Sequence, residues 1–245
     1  MAVRALLFDL WGTLIIDSPQ REEPRQQTRL RLVRQALAEA GEARPEAAVA
    51  AGLEALTGVY RTSAAVTSMV ERVQWLLEQI ETGLAERLSP EGLRAIEDAV
   101  AGAIRHSPPL AAPGAAEALV EARRRGLALG LVSNTGLTPG YVLREILADY
   151  GLLPHLQVLT FSDEAGLAKP APEVFHCTLD ALGVAPPDAV FTGDLPTLDV
   201  AGPLAVGMWT VQVGTEWADG VKPHARIDSL TELFPALERL GLLQS

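Results

Sequence analysis

The sequence predicts an α/β protein: a doubly wound parallel sheet interrupted by an all-helical insertion. Three observations point there. From residue 109 onward, short apolar strand-like runs alternate with helical patterns, the arrangement that builds a parallel sheet from βαβ units. Val3 to Leu10 is a further buried-strand pattern, yet no helix and strand of ordinary crossover length follow it. Between Ile16 and Pro108, apolar residues such as Val66, Val70, Val73, Leu77 and Ile80 recur at helical spacing.

After the first strand, Val3 to Leu10, the insertion divides into about four helices near residues 22–41, 45–57, 63–82 and 89–105. Pro108, Pro109 and Pro113 mark the return to the sheet. The remaining strands are expected at Leu127 to Val132, Val158 to Phe161, Ala189 to Thr192 and Met208 to Val213, with a weaker one at Ala225 to Ile227. Residues 1–16 and 109–245 therefore form the expected core domain and 17–108 the inserted one. Ligands bind beyond the C-terminal strand ends of open α/β sheets, so a helical insertion at that edge reads as a cap.

Composition narrows the function. The chain has 245 residues, 48% of them hydrophobic, enough for a sizeable buried core. A formal net charge of -11, with no basic run beyond Arg123, Arg124 and Arg125, disfavours nucleic acid and anionic membranes and leaves small molecules as partners. Cys177 is the only cysteine, so no intrachain disulfide forms and a reducing compartment is expected. Its setting in VFHCTLDALG reads as a helix face carrying a buried, inert thiol. Asp9 interrupts the N-terminal apolar stretch too early for a signal peptide and no run reaches transmembrane length, so the expected location is cytoplasmic.

The strand assignments bring four sets of residues to one rim. Asp9 closes the first strand, Ser133 and Asn134 the second, and Gly193 with Asp194 the fourth, while Lys169 lies in the loop after the third. Asp9, Asp194 and Asp199 offer oxygen ligands to a hard divalent cation, and Lys169 offers a point positive charge to phosphate.

This pattern resembles the haloacid dehalogenase superfamily, in the branch whose cap follows the first strand of a Rossmann-like core. FDLWGTL is similar to the first family motif, LVSNT to the second, SDEAGLAKPAPEVF to the third, and GDLPTLD running into VAGPLAVGM to the fourth. The resemblance spans nearly the whole chain. It implies a nucleophilic Asp9, a hydroxyl donor at Ser133, a balancing cation at Lys169, and Mg2+ held by Asp9, Asp194, Asp199 and the backbone carbonyl of Trp11. Gly12 and Thr13 are then expected to present backbone amides to phosphate, and Asn134 to help orient substrate.

One position departs from the family pattern. The family's phosphatases carry a second aspartate two residues after the nucleophile, as general acid and base; here it is Trp11, whose indole has no titratable proton near neutral pH. Three readings follow: a magnesium-dependent phosphohydrolase of a small phosphorylated metabolite, including acyl phosphates that need no protonated leaving group; a 2-haloacid dehalogenase, whose members carry an aromatic at this position and use no metal; and a binding protein that keeps the fold. Phosphonoacetaldehyde hydrolysis needs a cap lysine, and the chain has only Lys169 and Lys222, both outside the insertion. His106, His155, His176 and His224 show no ligand spacing. Trp75 packs the cap core or lines the substrate pocket, and Tyr60, Arg61, Arg25 and Arg29 read as a solvated cap face ahead of the alternative, substrate contacts.

Overall fold

The computed structural model describes residues 2–62 and 67–243, with the side chains of residues 60–62 outside the description. The chain divides into two compact units: Met1–Asp17, Leu110–Asn134 and Leu147–Ser245 form one, Ser18–Pro109 and Thr135–Ile146 the other. The second unit thus takes in residues 135–146, which the sequence reading counted in the core.

In the first unit the strands are Ala5–Phe8 (β1), Ile15–Ile16 (β2), Leu110–Ala111 (β3), Ala128–Ser133 (β4), Val158–Phe161 (β5), Ala189–Gly193 (β6), Trp209–Val213 (β7) and Ala225–Ile227 (β8). Six of them form a parallel sheet in the order β5-β4-β1-β6-β7-β8. β1 is buried along its whole length, as a central parallel strand covered on both faces requires, and its continuous apolar run follows from that. Register places Phe8 beside Leu131 and Thr192, so the residues just beyond, Asp9, Ser133 and Asp194, emerge at one edge. Beneath that edge Leu7, Val132, Phe175 and Phe191 share a core cluster, the two phenylalanine rings meeting edge to face at 5.4 Å. β2 and β3 pair antiparallel as a separate ribbon, too short at two residues each to leave a periodic signal in the sequence.

Cys177 is exposed, contrary to expectation. The helix Pro172–Leu182 buries Val174, Phe175, Thr178 and Leu179, and that stripe turns the thiol outward.

The second unit is helical: Pro19–Glu39, Glu46–Thr62, Met69–Ile80, Leu84–Arg87 and Pro90–Gly102, followed by a 3-10 turn over Ala103–His106. The first helix starts earlier than predicted because Pro19 enters its first turn, where its fixed φ fits and its missing N–H costs nothing. Ser68 and Glu71 form a reciprocal capping box that opens Met69–Ile80. The predicted start of that helix at residue 63, and Val66 with it, lie outside the described residues. Its buried stripe is Met69, Arg72, Val73, Leu76 and Leu77, which leaves Val70 and Trp75 partly exposed. Tyr60 and Arg61 have no described side chains.

Arg25 and Arg29 correct the reading of a solvated face, since both are buried. Arg29 Nε donates to Val100 O at 2.9 Å and Arg25 Nε to Ser107 O at 3.0 Å. These guanidiniums satisfy carbonyls at the end of Pro90–Gly102 and beyond it, and burial, reinforced by Arg25, pushes the pKa of Arg29 down to about 10. Arg72 donates to Gly136 O and, at 3.2 Å, to Thr135 Oγ1, which ties residues 135–136 to this unit. Among the described residues, no helix is long and apolar enough to cross a membrane.

Candidate active site

Lys169 is the centre of the rim. Its Nζ donates to Asp9 Oδ1 at 2.5 Å and to Asp199 Oδ1 at 2.7 Å, and it lies 5.4 Å from the centroid of the Phe191 ring. All three charged groups are buried. Asn134 fixes the lysine: its Nδ2 donates to Lys169 O at 2.9 Å and its Oδ1 accepts from Lys169 N at 2.8 Å. Both ends of the Asn134 amide thus hold the lysine backbone, and one N–H of its Nδ2 is not used in that pairing.

One carboxylate oxygen each from Asp9, Asp194 and Asp199 lie within 4.8 Å of one another. Asp199 is doubly committed, because its Oδ2 also accepts from Leu195 N at 2.9 Å. Asp194 differs: its Oδ1 is buried without a hydrogen-bond partner. Burial, then the neighbouring Asp199 charge, raises the pKa of Asp194. Burial likewise raises Asp9 against the opposing pull of Lys169. Burial also works against the Lys169 charge, but the two carboxylates together outweigh it and hold its pKa above the usual lysine range. Beside burial, the neighbouring carboxylates push both the acids and the base upward: Asp9, Asp194 and Asp199 cluster around the ammonium of Lys169, so ionised together they leave negative charge in excess. A divalent cation bound there would supply that balance, and the unpartnered Asp194 oxygen is of the type that ligates one.

Two glycines make the cluster possible. Gly12 has φ +74°, and a Cβ there would lie 2.3 Å from Asp194 Oδ2. A Cβ on Gly193 would lie 2.4 Å from Asp199 Cβ. Gly12 and Thr13 do not offer their amides as expected: Gly12 N donates to Ile15 O at 2.8 Å, and Thr13 N to Leu10 O at 3.4 Å, because the turn into β2 consumes them. What Thr13 does offer is a fully buried hydroxyl whose Oγ1 has no partner. Ser133 is buried and its Oγ makes only a marginal contact, 3.5 Å, to Asn134 O. Trp11 occupies the turn through a backbone bridge to Ile15.

The sequence reading missed Gln212. Fully buried in β7 beside Gly193, it donates from Nε2 to Asp194 O at 3.1 Å and to Glu216 O at 2.6 Å. An isolated polar residue in a strand pattern carries no signal of this.

The geometry agrees with comparisons to known proteins. The sequence model of a family described as haloacid dehalogenase-like hydrolase matches residues 3–207. Phosphoserine phosphatase of Thermus thermophilus is 39% identical over 132 residues, 51% of this chain and 50% of that protein. The human haloacid dehalogenase-like hydrolase domain-containing protein 3 is 37% identical over 134 residues, 52% and 51% of the two chains. The matched region thus spans about half the length of these curated relatives. Phosphoglycolate phosphatase of Pectobacterium atrosepticum matches more widely, at 23% identity over 96% of this chain and 93% of its own. Among solved structures, a phosphatase from Thermococcus onnurineus superposes with a TM-score of 0.66 at 24% identity, covering 99% of this chain and 100% of its own. A 2-haloacid dehalogenase from Pseudomonas syringae gives 0.70 at 21% identity over 97% and 99%. Both structural likenesses speak to the fold.

Proposed function

Because the chain belongs to the haloacid dehalogenase-like hydrolase family, we propose that it is a magnesium-dependent phosphohydrolase acting on a small phosphorylated metabolite through Asp9. The observation that carries this is the charge balance at the rim: Asp9, Asp194 and Asp199 against Lys169 alone, with Asp194 Oδ1 unpartnered. The names of the phosphoserine and phosphoglycolate phosphatase relatives support a phosphate ester as substrate. The setting is a cytoplasmic one.

Asp9, Asp194, Asp199 and the Trp11 backbone carbonyl would hold magnesium, which would supply positive charge to offset the repulsion between phosphate and carboxylate. Lys169 opposes the burial that raises Asp9 and holds its Oδ1, its own position set by Asn134. An Asp9 oxygen attacks phosphorus in line and the leaving oxygen departs, forming an aspartyl-phosphate. Ser133 Oγ and Thr13 Oγ1 donate hydrogen bonds to phosphoryl oxygens. Water then attacks phosphorus and frees Asp9. With Trp11 in place of an acid, leaving groups that need no proton are preferred; an acyl phosphate releases a carboxylate of pKa about 4.

Trp11 favours a second reading, displacement of halide by a metal-free Asp9. Against it stands Asp194, whose carboxylate beside Asp9 is a charge liability without a cation. Hydrolysis of acetyl phosphate, with and without magnesium, and chloride release from 2-chloropropionate separate the two. Phosphate release lost in chelator and in Asp9→Asn supports the proposal; chloride release that persists in chelator overturns it.

A further inference from the structure

Asp194 opens the loop after β6, in which Leu195 N donates to Asp199 Oδ2. It follows the last residue of β6, and a π-helical segment, Pro196–Ala201, begins two residues later. Its side chain presses on Gly12 and its Oδ1 is unpartnered, so no hydrogen bond to that oxygen holds the carboxylate in place. The backbone carbonyl of Asp194 is tied, and the tie is Gln212. β6 and β7 pair so that Gly193 stands beside Gln212, which brings the amide under the Asp194 carbonyl. The same Nε2 reaches Glu216 O in the loop after β7, so one NH2 group joins the two loops that follow adjacent strands.

The orientation of this amide is compelled. Turning it over would set Oε1 against two carbonyl oxygens, so Nε2 faces them even though Oε1 is left buried without a partner. A polar side chain fully buried on those terms is serving its two acceptors rather than solubility or packing.

We propose that Gln212 is a positioning residue for the metal site: by holding the Asp194 carbonyl to the 214–216 loop, it fixes the Asp194 carboxylate at the distance from Asp9 that a divalent cation requires. The proposal rests on the phosphohydrolase reading. Residues that orient metal ligands typically alter metal affinity by about 10- to 100-fold when lost.

The test uses Gln212→Met, which keeps the length of the side chain and removes the donor. Magnesium binding is measured by titration calorimetry on the full chain, without substrate. Thr178→Val serves as control, because Thr178 is equally buried and shares a 2.7 Å hydroxyl contact with Thr160 away from the rim. The expected result is magnesium affinity about 10-fold weaker in Gln212→Met and unchanged in Thr178→Val, at whatever melting temperature each shows. If Gln212→Met does not fold, Gln212→Leu keeps an apolar side chain of similar bulk without a donor, and the same loss is expected. Wild-type affinity in a folded Gln212 variant overturns the proposal and leaves the phosphohydrolase reading standing. Absence of magnesium binding by the unaltered protein overturns both.

Discussion

Gly12 and Asp194 stand so close that a single methyl group on Gly12 would lie 2.3 Å from Asp194 Oδ2. The first strand's turn and the fourth motif's carboxylate are thus fitted to one another through the absence of a side chain. Gly12→Ala adds that methyl and also puts an L-residue at φ +74°, a conformation costing about 1–2 kcal/mol. The variant is expected to melt lower and to bind magnesium at least about 10-fold more weakly, as outer-shell disturbances do. Calorimetry and thermal unfolding on the same sample check both.

Lys169→Met removes the cation that, among the described residues, pairs with Asp9 and Asp199 and leaves their buried charges unbalanced. Breaking a buried pair in this way costs about 3–5 kcal/mol. Because a divalent cation restores part of the balance, the loss of stability is expected to be larger in chelator than in magnesium. Chemical denaturation under both conditions reads the difference.

Trp11→Asp restores the acid that the family pattern places two residues after the nucleophile. Hydrolysis of alkyl phosphates is expected to rise, by up to about 10²-fold, while acetyl phosphate, whose leaving group needs no proton, gains little. Steady-state rates on the two substrates, compared as a ratio, test this; an equal gain on both would point to a change in packing rather than in proton transfer.

The central strands β1, β4 and β6 were legible because each is a short buried apolar run, and β5 and β8 also fall where the sequence places them. The rim was legible for the same reason: Asp9, Ser133 and Asp194 each follow such a run. What escaped depends on pairing across the fold. Arg25 and Arg29 read as solvated because sequence periodicity does not reveal that the carbonyls of Val100 and Ser107 wait opposite them. Nothing local marks the two bonds of Asn134 to Lys169. Cys177 sits one position off the buried stripe, a rotation too fine for the apolar pattern to fix.

His224 gives a pH signature outside the rim. Its Nδ1 accepts from Thr210 N at 3.1 Å, which requires the neutral ring, and burial lowers its pKa below 6.5. A depressed histidine pKa contributes stability that is present above the unfolded value and lost as pH falls through the folded one. His224→Asn keeps an acceptor without titrating, so the wild-type protein is expected to lose more stability than the variant as pH falls below 6.5. Parallel melting curves across that range compare them.

The central claim, that Asp9 is a metal-assisted nucleophile, is tested most directly by trapping. Borohydride added during turnover of acetyl phosphate reduces an aspartyl-phosphate to homoserine, which mass spectrometry reads at residue 9. The account predicts homoserine at position 9 in magnesium, and none in chelator or in Asp194→Asn. Full-rate phosphate release with residue 9 unmodified would contradict it.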